Sequence, residues 1–429
     1  MIMDLFKHNK SSDLFKHKSS DLFKHNKSWD HFIFYKQSEQ VQFQFQTEPN
    51  HYEHVYSKDE EVLYHYRNRI ETYSQLLPPN NWEYYKKIVN PYEMIYTKKK
   101  YKNVPESISL VKPLSRSYFK MIEMLDLIHY YKEDKPKNII RTGHVCEGPG
   151  GFIEALYDTA NQHKIHIDDT VAMTLQSTKN NIPGWKCTTA FLKKHNTIKI
   201  IYGKDNTGDI IKVDNQQFYI HHVQYKFDIF TADGGFDFSS NYMKQEQLVF
   251  PLLVASTKIG FEVLKQGGVF ILKFIDFYNK ATTDLLYFLS CHFIEWTLYK
   301  PATSRPCNPE HYFIGKGFTR CSDESLDILY RWCNLLENKE DMESLLLSEY
   351  SPEFTTIMEN IRTHSASTQI EYLKKVFFMI EENNDLLIQQ YIEHNIHASY
   401  EWCKRFHVLT LNHLVEESHS GLPDSSQLQ

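Results

Sequence analysis

The chain has seven cysteines in 429 residues: Cys146, Cys187, Cys291, Cys307, Cys321, Cys333 and Cys403. The number is odd and no two form a CxxC pair. That argues against a disulfide framework or a cysteine zinc site, and fits reduced, intracellular thiols. No apolar run approaches the roughly 18 residues that a membrane-spanning helix needs, so neither a transmembrane segment nor a membrane partner is expected. The amino terminus carries lysine and histidine but no apolar core segment, so no secretory signal is expected either. Positive charge is also in short supply. The formal net charge is −6, whereas a protein that grips nucleic acid over its whole surface is usually basic. Any phosphate binding must therefore be local, with the 22 histidines adding positive charge only below neutral pH. Finally, neither GxGxxG nor GxxxxGK[ST] occurs, although a glycine-rich turn does. The missing lysine makes a nucleoside triphosphate a poor ligand for that turn.

What is present is ample apolar material, 41% of residues, in a chain long enough for two or three domains. Aromatics reach 14%, with 28 Tyr and 28 Phe. That fits an RNA-handling protein and fits an AT-rich coding sequence equally well. The segment DLFKH occurs three times, from Asp4, Asp13 and Asp21, at a spacing too short for any packed repeat. Residues 1–31 read as a disordered low-complexity tail, with a triplicated docking motif as the other reading. Residues 32–111 form a mixed α/β extension. In it "VQFQFQ" (Val41–Gln46) alternates like a strand, and "SKDEEVLYHYRNRIETYSQLL" has the pattern of a helix closed by Pro78 and Pro79. The run "YTKKKYK" is the most basic patch, so Lys98, Lys99, Lys100 and Lys102 are candidate phosphate contacts. Among the aromatics before Val111, Tyr84, Tyr85, Tyr92 and Tyr96 are candidates to stack on a base.

After Pro113, Met121, Met124, Leu125 and Ile128 recur at helical spacing, with Lys120 beside that apolar face. From Lys137 to Lys316 strand and helix patterns alternate. Strands are expected at Thr142–Cys146, Thr170–Leu175, Thr197–Tyr202, Phe227–Ala232, Gly268–Phe274, Cys291–Leu298 and Tyr312–Lys316. This predicts an α/β fold with a seven-stranded, mostly parallel sheet and helices on both faces. A ligand belongs at the carboxyl ends of its strands, near the switch point. Residues 321–420 read as a helical, aromatic region, and residues 421–429 as a disordered tail.

Four motifs carry chemistry. In "HVCEGPGGFIEAL" (His144–Leu156), Gly148, Gly150 and Gly151 allow the backbone close to a ligand at a strand end. Glu147 supplies a carboxylate there, able to meet an amine or hydroxyls, and S-adenosylmethionine (SAM) has both. In "FDIFTADGGFD", Asp233 ends an apolar strand, where an acid either faces the cleft or caps a turn. In "GGVFILKFIDF", Lys273 interrupts an apolar strand, which is costly unless the lysine is paired or snorkels to water. In "SRPCNPEHYFIGKGF", Glu310 precedes another apolar strand.

Together these motifs resemble the FtsJ (RrmJ) family of RNA ribose 2′-O-methyltransferases, over about Pro113 to Phe318. That family uses a Lys–Asp–Lys–Glu tetrad. The counterparts here are Lys120 in "SRSYFK", Asp233 in "ADGGF", Lys273 in "GGVFILKF" and Glu310 in "SRPCNPE". Within the family the chain is most similar to eukaryotic and viral mRNA cap methyltransferases, through "HVCEGPGGFI", "VAMTLQ", "GKDNTGDI" and "PATSRPCNPE". The resemblance implies a Rossmann-like methyltransferase domain over residues 112–320, SAM as cofactor, no metal, and RNA, a 5′-capped mRNA, as partner. It places Glu147, Gly148, Pro149, Gly150, Gly151 and Phe152 around the methionine part of SAM, and Asp209 and Ile210 at adenine. Asp233 faces the sulfonium. Strand two ends in "MTLQ" with no acid, so Thr174 or Gln176 stands in for a ribose-binding carboxylate.

The resemblance also assigns roles. Lys273 is the general base, its pKa lowered by apolar neighbours and by Lys120 nearby. Lys120 orients the hydroxyl, Asp233 aligns Lys273 and Glu310 holds Lys120. Arg116 and Arg305, each inside a tetrad motif, are candidate RNA-phosphate contacts. A viral member would act in the host cytoplasm, could be packaged in the virion, and would have other capping or transcription proteins as candidate partners. Methylation of ribosomal or transfer RNA, and a non-catalytic RNA-binding scaffold on the same fold, remain the alternatives. The C-terminal helices could also be a partner-docking module.

Overall fold

The computed structural model describes residues 32–37, 43–76, 81–97, 106–131, 139–176, 184–235 and 244–410. The DLFKH repeats, Pro78 and Pro79, the run from Lys98 to Lys102 and the tail 421–429 lie outside the described residues.

The described strands form one sheet. They are β1 (Tyr35–Lys36), β2 (Ile139–Val145), β3 (His166–Met173), β4 (Ile198–Ile201), β5 (Phe227–Ala232), β6 (Leu264–Ile275), β7 (Phe293–Tyr299) and β8 (Glu310–Phe318). Their order is β1-β7-β8-β6-β5-β2-β3-β4. β2, β3, β4, β5 and β6 pair in parallel; central β5 is buried throughout, as a strand covered on both faces must be, whereas β4 at the edge has no fully buried residue. β8 runs antiparallel to both β6 and β7. Only residues 300–309 separate β7 from β8, too few for the helical crossover that a parallel pairing requires.

All seven expected strands are present, and the sheet is mostly parallel. The expected count of seven is corrected to eight by β1. This edge strand comes from the extension and pairs Tyr35 with Trp296 and Lys36 with Glu295. Two residues are too short for periodicity to reveal. The alternation at Val41–Gln46 also resolves differently. Its described part makes an isolated bridge from Phe45 to Leu346, outside the main sheet.

The helices are α1 (Lys58–Leu76), α2 (Asn81–Ile88), α3 (Ser117–Leu127), α4 (Gly151–Gln162), α5 (Thr189–Lys194), α6 (Val213–His222), α7 (Gln245–Val263), α8 (Lys280–Ser290), α9 (Asp323–Glu337), α10 (Pro352–Glu382) and α11 (Asp385–Arg405). α10 starts on a clear signal, with the Ser351 hydroxyl accepting from the Phe354 amide at 3.2 Å and Pro352 in the first turn. Successive sheet residues point to opposite faces, so Ile271 joins one apolar core while Phe270 and Leu272 join the other. The first core packs Ile70, Trp82 and Met94 of the extension with Phe119 of α3 and Trp402 of α11. Extension, sheet and C-terminal helices thus share one continuous interior. α9 lies on α7 on the other face.

The order reverses at β2, which pairs with β3 on one side and β5 on the other. A crevice opens outside the carboxyl ends at such a point. Residues 146–151 follow β2 there and Asp233 follows β5.

Candidate active site

A cleft of about 920 Å³ lies over these strand ends. Cys146, Gly148, Thr174, Asp209, Ile210 and Asp233 line one end. Lys273 and Glu310 line the cleft too, as do Arg67, Trp82, Glu83 and Lys86 of the extension and Leu373 of α10.

β6 delivers Lys273 two residues before its end, and β8 begins at Glu310, two registers away across the antiparallel pair. α3 brings Lys120. Lys273 Nζ lies 3.1 Å from Asp233 Oδ1 and donates to the Asp233 carbonyl at 2.8 Å. Lys120 Nζ lies 2.7 Å from Glu310 Oε1. The four expected side chains therefore meet as two ion pairs, with Asp233, Lys273 and Glu310 lining the cleft and Lys120 reaching Glu310 from α3. A side chain at Gly235 would have its Cβ only 3.2 Å from Lys273 Nζ, so the glycine after Asp233 leaves the ammonium room.

Tyr312 joins the two pairs. Its hydroxyl donates to Asp233 Oδ1 at 2.8 Å and accepts from Lys120 Nζ at 3.5 Å. The ring is fully buried, and burial together with Asp233 holds the phenol well above its ordinary pKa. The sequence reading did not select it. Its signal was there, because a residue two after Glu310 on a strand shares its face, but nothing in the pattern marks a tyrosine in an apolar strand as polar machinery.

The electrostatics correct one expectation. Burial pushes the Lys273 ammonium down, yet Asp233 and Glu310 outweigh it, and the net shift is upward. Apolar surroundings and Lys120 therefore do not make Lys273 a free base in this arrangement. Glu310 is desolvated too, but Lys120 and Lys273 hold its carboxyl down at about 2. Lys300 is pushed down to about 8, mainly by burial, while donating to the carbonyls of Asn308 at 2.8 Å and Glu310 at 3.0 Å.

The glycine turn divides its residues between the cleft and the core. Gly148 lines the cleft and donates to Thr174 Oγ1 at 3.3 Å. Pro149, Gly150, Gly151 and Phe152 are not among the cleft-lining residues. Gly151 is needed for packing instead, since a Cβ there would fall 2.2 Å from Ser115 Oγ at the start of α3. Phe152 is fully buried beside Tyr312, with ring centres 5.8 Å apart.

Glu147 differs from expectation as well. It is 4% exposed and does not line the cleft. One carboxyl oxygen accepts from Thr231, and the other has no hydrogen-bond partner among the described residues. Burial, then the charge of Asp233, pushes its pKa well up, and it sits beneath the strand ends rather than in the cleft. Asp209 and Ile210, which the resemblance assigns to adenine, line the cleft, and Asp209 Oδ1 accepts from the Ile211 amide at 3.0 Å. Thr174 lines it too, whereas Gln176 is exposed and pairs its amide with the Thr207 carbonyl at 2.7 Å.

Arg116 and Arg305, expected at phosphates, are spent inside the protein. Arg116 donates to the carbonyls of Tyr92, Glu93, Tyr96 and Thr303. Arg305 forms two 3.1 Å bonds to the Glu93 carboxylate. A guanidinium already forked onto a buried carboxylate or onto carbonyls has few donors left for RNA. Glu93, flanked by both arginines, is held down at about 2 against its own burial. The candidate base-stacking tyrosines are also corrected. Tyr85 and Tyr92 are buried in the core, Tyr84 and Tyr96 are half-buried, and none lines the cleft, which Trp82 does.

Lysine, aspartate, lysine and glutamate from four separate motifs thus converge at the strand ends, in the order the sequence resemblance requires. Residues 113–318 match the FtsJ-like methyltransferase family. This FtsJ-like segment has the α/β methyltransferase fold, and it leaves the extension and the C-terminal helices outside the match. The chain is 31% identical over 237 residues to the cap-specific mRNA (nucleoside-2′-O-)-methyltransferase 1 of Dictyostelium discoideum, covering 51% of this chain and 31% of that protein. It is 33% identical over 189 residues to the cap-specific mRNA (nucleoside-2′-O-)-methyltransferase 2 of Danio rerio, covering 42% and 25%. The human methyltransferase 1 is 27% identical over 265 residues, covering 58% and 31%. The chain therefore spans only a quarter to a third of the length of these curated relatives. Among solved structures, a ribosomal RNA methyltransferase of Plasmodium falciparum aligns with a TM-score of 0.34 and 18% identity, over 48% of this chain and 100% of that one.

Proposed function

We propose that this protein transfers the methyl group of SAM to a ribose 2′-hydroxyl of RNA, at a cap-proximal nucleotide of 5′-capped mRNA. The observation that carries this reading is the convergence of Asp233, Lys273 and Glu310 in one cleft at the switch point, with Lys120 paired to Glu310 beside it. The residues present fit the cofactor. The cleft has the size of a nucleoside site with room for a second ligand. Gly148 brings backbone to its wall, Asp233 offers a carboxylate to a sulfonium, and Asp209 and Ile210 line the part proposed for adenine.

SAM supplies an activated methyl group, so positioning contributes much of the rate. Lys273 takes the hydroxyl proton. Its ammonium is stabilised by Asp233 and Glu310 in the free protein, and that stabilisation must weaken first. With a sulfonium beside it, Asp233 shares its charge between two cations, and Lys273 releases its proton more readily. Lys120, held by Glu310, presents a donor to the oxyanion that develops on the ribose. Lys86 and Lys273 line the cleft among the carboxylates of Glu83, Asp209, Asp233 and Glu310, while Arg67 is spent on Asp276. RNA entering along this cleft meets positive charge only locally, at those two lysines. A viral chain working in the host cytoplasm beside other capping proteins belongs to the same proposal and rests on the sequence resemblance.

The test is transfer of tritium from labelled SAM to capped RNA, with the product mapped by nuclease digestion. Label at the first or second nucleotide supports the reading and separates cap 1 from cap 2. Label only in ribosomal or transfer RNA sinks the cap assignment, and SAM binding without transfer to any RNA favours a scaffold. Lys273→Ala with near wild-type transfer would overturn the assigned base.

A further inference from the structure

Glu123 sits one turn along α3 from Lys120 and is 1% exposed. It does not line the cleft. Its two oxygens accept four hydrogen bonds. Oε2 accepts from the Tyr299 hydroxyl at 2.9 Å and the Ala302 amide at 2.8 Å. Oε1 accepts from the Thr303 amide at 2.9 Å and the Trp402 indole at 3.0 Å. Four acceptances fill a carboxylate.

The identity of the donors is what matters. Tyr299 ends β7, and Ala302 and Thr303 lie in the stretch 300–309 that runs to Glu310. This stretch has neither helix nor strand of its own. Trp402 comes from α11, nearly 280 residues further along the chain. One carboxylate therefore ties the helix that carries Lys120 to the loop that leads into Glu310 at the start of β8, and ties both to the C-terminal helices. Glu93 does similar work from the extension. It holds Arg116 at the start of α3 and Arg305 in the same loop.

We infer that Glu123 is a positioning residue for the Lys120–Glu310 pair, and that Trp402 makes α11 part of the same device. Its catalytic meaning rests on the function proposed above, while its effect on the loop does not. Without a charged acceptor at Glu123, the buried amides of Ala302 and Thr303 have no partner of equal strength, and the loop must shift to find one. Lys120 and Glu310 meet at 2.7 Å, so a displacement of about 1 Å breaks the pair, and rates are sensitive to misplacement on that scale. The C-terminal helices are on this account a structural component of the active site.

Glu123→Gln keeps the shape but turns an N–H₂ towards donors. Three measurements on the full chain test it: steady-state methyl transfer, SAM affinity by calorimetry, and amide hydrogen exchange. The expected result is a fall in kcat of tenfold or more, with SAM affinity within twofold. Exchange should rise in the peptide spanning residues 300–310 and stay unchanged over β2 and β5. Trp402→Phe, which keeps a ring in the core and removes one donor, should lower kcat by a smaller factor and raise exchange in the same peptide. Three results overturn the inference. One is kcat within twofold of wild type in Glu123→Gln, one is unchanged exchange over 300–310, and one is raised exchange throughout with SAM affinity lost in parallel. If the wild-type chain transfers no methyl group to any RNA, the proposed function fails by itself. The exchange pattern then still decides whether Glu123 positions the loop.

Discussion

Tyr312 donates its hydroxyl to Asp233 Oδ1 at 2.8 Å, from the same face of β8 as Glu310, whose carboxylate holds Lys120. One strand thus reaches both ion pairs of the candidate site. Phenylalanine at 312 would keep the buried ring and delete the bridge. A net hydrogen bond of about 1–1.5 kcal/mol corresponds to roughly a 5- to 12-fold fall in kcat. Calorimetry should find SAM affinity nearly unchanged. A kcat equal to wild type would make Tyr312 a packing residue.

On the proposed mechanism, with Lys273 as base, the upward shift on Lys273 sets the pH dependence of methyl transfer. Its burial alone would lower the pKa, but Asp233 and Glu310 reverse the sign. A base that must lose a proton gives a rate that rises with pH. For SAM, kcat/KM reports the free enzyme and kcat the loaded complex. The rising limb of kcat/KM should therefore lie at higher pH than the rising limb of kcat. Coincident limbs would remove the argument that a second cation beside Asp233 frees Lys273.

Glu93 is predicted to be a large contributor to stability at neutral pH. Its folded-state pKa of about 2 lies below the ordinary 4.5 because Arg116 and Arg305 outweigh burial. A carboxyl with a depressed pKa stabilises the fold above its unfolded value, and that contribution disappears as pH falls through the folded value. Glu93→Gln should cost about 3 kcal/mol at pH 7, read as a shift in the denaturation midpoint. The gap from wild type should close between about pH 4.5 and 2. A gap that persists at pH 2 would mean that shape, not charge, matters there.

Arg305 separates a structural strut from an RNA contact. Its guanidinium is forked onto Glu93, so Arg305→Gln should lower stability and leave the salt dependence of RNA binding alone. Losing one phosphate contact reduces the slope of log K against log salt by about one. A slope change of that size in Arg305→Gln would reinstate the phosphate role. Lys86→Met is the contrasting variant. Lys86 lines the cleft, and its loss should weaken RNA binding and flatten the slope.

The sheet was legible in the sequence because its cause is local. Apolar runs such as Phe227–Ala232 bury on both faces wherever they are placed, and helices between them dictate parallel pairing. The tetrad was legible for a similar reason: each member sits inside a short motif, and the order of motifs survives without coordinates. β1 was not legible, since two residues carry no period. Neither were the destinations of Arg116 and Arg305, because Glu93, which claims them, lies in a segment that shares no motif with either.

By itself, then, the sequence determined the fold class and seven of the eight described strands, since periodicity is a property of short stretches, and the resemblance of its motifs to a known family named the four side chains to be brought together. Tertiary structure decided the rest. It aligned Lys120 with Glu310 and Lys273 with Asp233, and it turned Glu147 into the interior. It also walled the cleft with Trp82, Lys86 and Leu373 from outside the matched segment. Charge and burial act through space, so the protonation of Lys273 and the partner of each arginine depend on residues far away in the chain. Trp402 meets Glu123 only because the C-terminal helices and α3 share one core.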